Sequence, residues 1–234
     1  MAFLDADVEV TQDWCNAYQR LLDADKVPEN LITGAQCWVS KSPSWIEEYW
    51  FSPLRGLPKN YINGCNIIVT RALFDQISGF DEKLATGEDV DFCLRAQKVS
   101  DHFEIDPEFV VFHEGFPKDV RSFLSRERWH GKGDFEHLGF LLKSKTAILT
   151  VILLLIHVFL VLSLITLIVS GGAIGTLSSV VLVLVIVGVL MVTTCVRFKT
   201  FSVFLNPVVL GIQYLYFVGR GISAVDAAIK YLRA

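Results

Sequence analysis

The most informative absence in this sequence is a long run without charge. Of its 234 residues, 25 are acidic, and all of these except Asp226 precede Lys145. Residues 146–196 contain no Asp, Glu, Lys or Arg. An uncharged run of this length is typical of segments that cross a bilayer. The mean hydropathy of +0.45 agrees, and the two observations exclude a chain that is water-soluble throughout.

Cysteine is scarce, and its spacing is not that of a paired motif. The five cysteines (Cys15, Cys37, Cys65, Cys93 and Cys195) are odd in number and form no C-x-x-C pair. The charged part also lacks a preceding apolar h-region, so we expect no signal peptide. These features favour a reducing, cytosolic-side location in which the thiols stay free as small core residues.

The signatures of several function classes are missing as well. The sequence has no G-x-x-x-x-G-K-[ST], no H-E-x-x-H and no G-x-S-x-G. Their absence weighs against a P-loop NTPase, a zincin protease and an α/β-hydrolase. The net charge of −4, without a basic stripe, argues against nucleic acid as a partner.

Apolar segments fill the C-terminal part of the chain. Residues 147–170 and 174–196 are each long enough to span a bilayer, and the Gly-rich stretch between them predicts a helical hairpin. Residues 201–219 are a weaker third segment, diluted by two amides and a proline. We expect this segment to span; the alternative is a helix lying in the membrane interface.

Basic residues bracket the predicted hairpin. Lys143 and Lys145 precede the first apolar segment, and Arg197 and Lys199 follow the second. The excess of Lys and Arg in cytoplasmic loops therefore predicts that both ends of the hairpin, and the charged part of the chain, are cytoplasmic. We place the domain boundary here, with residues 1–143 as the soluble domain and 144–234 as the membrane region.

The charged half predicts an α/β layer fold. Short apolar, strand-like stretches such as "AFL", "CNIIVT" and "HFEI" alternate with stretches of helical period. "TQDWCNAYQRLL" is the clearest helix, with Thr11 available as its N-cap.

The first candidate site is the pair Asp5 and Asp7, directly after "AFL". Two carboxylates one residue apart at the end of a strand point into the crevice where α/β proteins bind ligands. Such a pair suits a hard cation, Mg²⁺ or Mn²⁺, that bridges to nucleotide phosphates. Alone the pattern is weak, because surface aspartate pairs are common.

The second candidate is "GEDVDFCLR", where Glu88 and Asp89 follow a glycine and open a helix. One of the two carboxylates can serve as a base. Plain helix capping is the alternative. Asp91 is expected to face solvent or to pair with Arg95 at i,i+4.

Weaker candidates lie on either side of these motifs. Gly64 and Asn66 precede or open a strand where the backbone can approach a ligand closely, although an ordinary strand entry explains them too. His113 can be a third metal ligand or a structural histidine.

The segment "RERWHGKG" offers Arg126, Arg128 and Trp129. Guanidinium and indole groups suit phosphate and sugar binding. A basic helix that touches lipid headgroups is the alternative.

Taken together, these stretches resemble a membrane-anchored family 2 glycosyltransferase with the GT-A fold. "FLDADVEV" resembles the D-x-D strand, and "NGCNIIVTRALFDQISGFDE" resembles the G-x-N stretch followed by a helix and G-F-D-E. "GEDVDFCLR" matches the E-D motif with its trailing arginine, and "RERWHGKG" resembles the R-W segment before the membrane helices. The match covers residues 1 to about 135. The expected architecture is a partial GT-A domain followed by two to three transmembrane helices.

The resemblance implies a role for each motif. Asp5 and Asp7 would bind the Mg²⁺ or Mn²⁺ ion and the diphosphate of a nucleotide-sugar donor, with His113 completing the metal shell. Asp89 would be the general base that deprotonates the acceptor hydroxyl, which attacks the anomeric carbon with inversion. Glu88 would position Asp89 or the acceptor.

The remaining candidates would bind substrate. Gly64 and Asn66 belong to the G-x-N stretch, Arg128 would assist the departing diphosphate, and Trp129 would line the acceptor channel. The polymerase form of the R-W segment begins with Gln, whereas Arg126 and the residue before it occupy that region here. This departure leaves processive synthesis in doubt.

The resemblance also implies that part of the machinery precedes this sequence. In the family the D-x-D strand follows strands that carry most of the base and uridine contacts. We therefore expect a donor half in upstream residues or in a separate chain, and a glycan or lipid-linked acceptor at the cell surface. The alternative is a catalytically inactive truncated membrane protein, or a binding or scaffold subunit.

Overall fold

A computed structural model describes residues 1–55, 60–84, 86–135, 138–170, 172–200 and 206–233. The chain divides into two compact units, Met1–Phe116 and Pro117–Ala234. The first unit contains strands and helices and the second contains helices. The expected mixed α/β fold followed by long apolar helices is confirmed.

A four-stranded mixed sheet forms the centre of the first unit. Its order is β1–β4–β3–β5; β4 runs antiparallel to both of its neighbours, and β5 runs parallel to β3. Strands β2 and β6 form a second, two-stranded antiparallel sheet. The strands are β1 (Ala2–Leu4), β2 (Val8–Val10), β3 (Leu31–Gly34), β4 (Asn66–Val69), β5 (His102–Ile105) and β6 (Val111–His113).

The helices of the first unit cover both faces of this sheet. Ile68 packs with Trp14 on one face, whereas Ile67 packs with Phe92 on the other. This division follows from the two-residue period of a strand, which sends neighbouring side chains to opposite faces. The helices are α1 (Gln12–Asp23), α2 (Ser52–Arg55, after a π-helical turn at Glu47–Phe51), α3 (Arg71–Gln76) and α4 (Glu88–Ala96).

Local chemistry explains two features of this unit. The Thr11 hydroxyl accepts a hydrogen bond from the Trp14 N–H, so the predicted N-cap of α1 is confirmed. Gly34 has a φ of +146°, and a Cβ there would lie 2.1 Å from the carbonyl oxygen of Asn66. Only glycine allows β3 and β4 to approach this closely.

The prediction that all cysteine thiols stay free is wrong for one pair. Cys37 follows β3, Cys65 precedes β4, and the two form a disulfide. The adjacency of these strands brings together cysteines that lie 28 residues apart, which no spacing motif indicated. Cys15, also expected in the core, is exposed, whereas Cys93 is buried as expected.

The second unit is a set of helices in which two form a hairpin. Its helices are α5 (Val120–Phe135), α6 (Leu138–Lys143), α7 (Lys145–Ser170), α8 (Ala173–Phe198) and α9 (Pro207–Leu232). The Ser163 hydroxyl of α7 bonds to the Gly175 carbonyl and the Ser179 hydroxyl of α8. α7 and α8 therefore run antiparallel, as the sequence predicted.

Within the described residues, three helices are long and apolar enough to cross a membrane, by length and composition: α7, α8 and α9. The third extends well beyond residue 219, where the predicted segment ended, and its described part begins at Pro207. Residues 201–205 of that predicted segment lie outside the described residues.

Candidate active site

The pairing of β2 with β6 brings three candidate metal ligands together. Asp5 and Asp7 lie in the turn between β1 and β2, and His113 is the partner of Val8 in the register of β2 and β6. The His113 Nε2 atom lies 3.5 Å from Asp7 Oδ1 and 3.9 Å from Asp5 Oδ2. Two aspartates separated by a single residue thus meet a histidine that lies more than 100 residues further along the chain.

Gly115 lets the chain pass close to this cluster. A Cβ at Gly115 would lie 1.9 Å from Asp7 Oδ2, which is closer than any real contact. The Asp7 carbonyl also accepts a hydrogen bond from the Glu114 N–H at 2.9 Å. In the segment after β6, Glu114 therefore holds the backbone of Asp7, and Gly115 leaves room for the Asp7 carboxylate.

The three side chains fit a divalent cation. One ligand atom from each lies within 4.8 Å of the others. Two carboxylates and one imidazole suit Mn²⁺ or Mg²⁺ when phosphate and water oxygens complete the shell. The side chains of Asp5 and Asp7 are about half exposed, at 55% and 49%, so a nucleotide can reach them.

Electrostatics at Asp5 also favour a cation. Partial burial raises the pKa of the Asp5 carboxyl; His113 lowers it in part, and Asp7 and Asp89 raise it. These carboxylates repel one another, and a positive ion between them would relieve the repulsion. Because Asp89 is among the groups that raise this pKa, Asp89 lies within electrostatic range of Asp5.

Asp89 is held by backbone groups on two sides. Its Oδ2 accepts a hydrogen bond from the Gly64 N–H at 3.0 Å, and its Oδ1 accepts one from the Val90 N–H at 2.8 Å. A Cβ at Gly64 would lie 3.3 Å from the Asp89 Cβ, so glycine permits this approach. Glu88, the neighbouring acid, is exposed.

Cys93 of α4 binds the loop that contains Ile62 and Gly64. Its sulfur accepts a hydrogen bond from the Ile62 N–H at 3.3 Å and donates one to the Ile62 carbonyl at 3.6 Å. Burial raises the pKa of the Cys93 thiol to about 11, so at neutral pH it keeps the proton that it donates. The loop that carries Gly64 is therefore attached one helical turn beyond Asp89.

The side chains of Asn66, Asp91 and Arg95 form hydrogen bonds within the first unit. The Asn66 side chain is fully buried; it accepts a hydrogen bond from Trp14 Nε1 and donates one to the Phe109 carbonyl. Its role in binding substrate stays a prediction. Asp91 accepts a hydrogen bond from Arg95 Nε at 2.7 Å, which confirms the expected i,i+4 pair.

The R-W segment lies on α5 in the second unit. Arg126 donates to the buried Glu127, Arg128 donates to Asp226, and Trp129 is 46% exposed. The sequence predicted phosphate or sugar binding for these residues, and that role stays a prediction.

Sequence reasoning missed Gly115 and Cys93. Gly115 lies within "FHEG", next to a histidine that was singled out, and Cys93 lies within "GEDVDFCLR". A glycine two residues after a candidate ligand was the available signal for the first. For Cys93 there was no signal, because its partner is the backbone of a distant loop.

Most of the chain is similar to one known protein family. The chain matches the glycosyl transferase family group 2 over residues 3–210. This range includes the Asp5–Asp7 pair, the helix that begins at Glu88, the R-W segment and the α7–α8 hairpin. The chain belongs to this family of glycosyltransferases. No curated protein and no solved structure matches it.

Membership of this family indicates glycosyl transfer as the general activity of the chain. The family implies a nucleotide-sugar donor and a glycan acceptor. Three described helices that are long and apolar enough to cross a membrane support membrane association of this glycosyltransferase.

Proposed function

We propose that this glycosyltransferase moves a sugar from a nucleotide-sugar donor to an acceptor hydroxyl with inversion at the anomeric carbon. The observation that carries the proposal is the convergence of Asp5, Asp7 and His113 in a cluster close to Asp89. A diphosphate binder and a base are the two parts that such a transfer needs, and one unit of the chain supplies both.

Asp5, Asp7 and His113 are the residues that would hold a divalent cation. The cation supplies positive charge that neutralises the departing diphosphate. The protein itself holds the two carboxylates on the tight turn between β1 and β2, beside His113. Gly115 leaves the space that Asp7 occupies.

Asp89 is the proposed general base. It takes the proton of the acceptor hydroxyl while the hydroxyl oxygen forms a bond to the anomeric carbon and the carbon–oxygen bond to the diphosphate breaks. The hydrogen bonds from the Gly64 and Val90 N–H groups orient its carboxylate. Glu88, exposed beside it, orients the acceptor.

Arg128 and Trp129 are proposed to contact the diphosphate and the acceptor, respectively. The acceptor is proposed to be a lipid-linked or cell-surface glycan, because the enzyme is anchored in a membrane. Inversion is the expected outcome of a single displacement in which one base acts on one acceptor hydroxyl.

We also propose that the first unit faces the cytoplasm. The basic residues at both ends of the α7–α8 hairpin support this side. The Cys37–Cys65 disulfide weighs against it, since disulfides are rare in the cytosol. We give more weight to the basic residues because they act directly on membrane insertion.

The test compares Asp89→Asn with Asp91→Asn in the full chain in membranes, supplied with labelled nucleotide-sugars and Mn²⁺. We expect Asp89→Asn to reduce kcat by about 10²- to 10⁴-fold, the usual contribution of a general base. Asp91 pairs with Arg95 on the same helix, so Asp91→Asn controls for expression and folding. Equal turnover by the two variants would contradict the role of Asp89. Donor binding without turnover by the unaltered chain would favour the non-catalytic alternative.

A further inference from the structure

A groove lies along the α7–α8 hairpin in the second unit, and we call it the hairpin groove. Its volume is about 580 Å³, within the roughly 300 to 1,000 Å³ of most ligand pockets. α8 forms its longest wall, from Val185 to Arg197. α7 adds the residues around Lys145, and α9 adds Gln213 and Phe217. The groove is therefore built by three helices of one unit.

Two cations lie at one end of the hairpin groove. α7 begins at Lys145, and Arg197 is next to the last residue of α8, so the antiparallel hairpin brings both to the same end. Both line the groove, and none of the described residues that line it is acidic. Because residues 146–196 carry no charge, this end lies where membrane helices meet lipid headgroups. The complement of this end is an anion.

Arg197 is held in position at this end by residues of α9. The Gln213 side chain is fully buried; it accepts a hydrogen bond from Arg197 Nε at 3.2 Å and donates one to the Thr193 hydroxyl at 3.1 Å. The Arg197 Cζ atom also lies 4.0 Å from the centre of the Tyr216 ring. A guanidinium that is already oriented loses less conformational freedom when it binds an anion.

Beyond the two cations the hairpin groove is apolar over the depth of one leaflet. Val185 lies about 18 Å from Arg197 along the axis of α8, at roughly 1.5 Å per residue. Half of the hydrocarbon core of a bilayer is about 15 Å thick. The groove therefore extends from headgroup level to near the middle of the bilayer, which is the depth that a lipid acyl chain occupies.

The wall formed by α8 leaves space for such a chain. No atom lies within 4 Å of a Cβ added at Gly188, so the groove is open at this residue. Val185 and Val192, on either side of Gly188, are 42% and 63% exposed. Because valine is restricted at χ1, these side chains keep their positions when the groove is empty. An extended alkyl chain fits against this wall.

A second apolar groove in the same unit differs in its charge. It has a volume of about 370 Å³ and lies between α7 and α9. Its described lining residues include Asp226 and no lysine or arginine. An anionic headgroup would be repelled there, whereas the hairpin groove offers it two cations. The charge pattern therefore selects the hairpin groove.

We infer that the hairpin groove binds one anionic phospholipid of the bilayer, with its phosphate between Lys145 and Arg197 and an acyl chain along α8 past Gly188. The guanidinium of Arg197 donates hydrogen bonds to phosphate oxygens, and Lys145 supplies a point charge. Basic pockets between membrane helices bind lipid headgroups in this way. The inference concerns the second unit alone and is independent of the proposed transfer chemistry.

The first test measures which lipid stays bound to the full chain. The chain is placed in bilayers of equal parts phosphatidylglycerol and phosphatidylcholine with identical acyl chains. It is then released into detergent, and bound lipid is identified by native mass spectrometry. We expect one phosphatidylglycerol, favoured over phosphatidylcholine by at least about tenfold, because each basic side chain at headgroup level attracts anionic lipid. Equal retention of the two lipids would overturn the inference.

Matched charge variants separate this site from general attraction to a basic surface. Lys145→Gln with Arg197→Gln removes both cations of the groove. Lys143→Gln with Lys199→Gln is the control; each residue is exposed, lies two positions from its counterpart and is not part of the groove lining. We expect the preference for phosphatidylglycerol to fall about tenfold or more in the first pair and to persist in the control. Equal preferences in the two pairs would overturn the inference.

A second pair of variants fills the groove without changing its charge. Gly188→Leu places a side chain in the path of the acyl chain, and Gly211→Leu adds the same side chain to α9 outside the groove lining. No atom lies within 4 Å of an added Cβ at either position, so both variants have room to fold. We expect retention of phosphatidylglycerol to fall at least about fivefold in Gly188→Leu alone, because acyl-chain contacts are lost. Equal retention in both variants would overturn the inference.

A competition distinguishes a bilayer phospholipid from a lipid-linked substrate of the enzyme. An isoprenoid phosphate, which has one phosphate and one long alkyl chain, is added to the same bilayers. We expect phosphatidylglycerol to remain bound to the unaltered chain. Replacement of phosphatidylglycerol by one isoprenoid phosphate would show that the groove takes a lipid-linked substrate, and it would overturn the assignment to a bilayer phospholipid.

Discussion

In the first unit the carboxylates of Asp5 and Asp7 are half exposed and face His113, whereas in the second unit Glu127 is buried between Arg126 and Arg220. The exposed pair gains little from its surroundings, and partial burial raises the pKa of Asp5. The buried acid is neutralised by two guanidinium groups. The comparison teaches that an acidic side chain between two guanidinium groups serves structure, whereas acids without a strong cationic partner stay available for the cation proposed above.

The largest expected effect comes from removing the cation that balances the buried acids. Arg220→Met should destabilise the second unit by about 3 to 5 kcal/mol, because Glu127 and Asp134 would lose their shared partner. Thermal unfolding in detergent measures this loss. Arg71→Met is the control in the first unit; it removes an exposed pair 3.9 Å apart and should change stability by no more than about 1 kcal/mol. Similar losses in the two variants would break the comparison.

A second prediction disturbs the exposed carboxylates without altering their charge. Gly115→Ala places a Cβ where Asp7 Oδ2 now lies, so Asp7 must move. We expect Mn²⁺ affinity to fall by about 10- to 100-fold, as for other residues that position metal ligands. Isothermal titration measures it. Gly188→Ala is a control, since no atom lies within 4 Å of its added Cβ. Unchanged Mn²⁺ affinity in Gly115→Ala would show that the cluster is not the binding site.

The positioning of Asp89 can be tested through Cys93. Cys93→Ala removes both hydrogen bonds to Ile62 and should cost about 1 kcal/mol of stability. Because the loop that carries Gly64 is loosened, the activity of Cys93→Ala should also fall, whereas Cys93→Ser should retain most of it. Cys15→Ala, at an exposed position, is the control. A Cys93→Ala variant with unchanged kinetics would restrict the thiol to a structural role.

These predictions also show what the sequence could and could not supply. The helices and strands followed from hydrophobic period and capping residues. The three expected ligands Asp5, Asp7 and His113 lie together, and their binding of a cation stays a prediction. The disulfide between Cys37 and Cys65 was missed, because it depends on β3 and β4 being neighbours, which no local pattern encodes. The ionic contacts between α5 and α9 were missed for the same reason.

A further prediction concerns the pH dependence that His130 on α5 gives to stability. Burial, together with the smaller effects of Arg126 and Arg220, lowers the pKa of His130 to about 3. The unfolded chain binds this proton below about pH 6.5, the ordinary histidine value, whereas the folded chain binds it only near pH 3. Stability from this group is therefore present above pH 6.5 and is lost as the pH falls toward 3.

His130→Gln should remove that part of the pH dependence. Unfolding of the two proteins at pH 7.5 and pH 5 measures the difference, and the unaltered chain should lose more stability at pH 5 than the variant does. Equal losses would mean that His130 is protonated in the folded chain.

The most direct test of the proposed metal centre is Mn²⁺ binding by the full chain, followed by electron paramagnetic resonance of the free ion. Asp7→Asn is compared with Asp13→Asn, which alters an exposed aspartate on α1. We predict a single Mn²⁺ site in the unaltered chain and in Asp13→Asn, and affinity at least about tenfold weaker in Asp7→Asn. Equal affinity in all three proteins would contradict the assignment of Asp5, Asp7 and His113 as the metal centre of this glycosyltransferase.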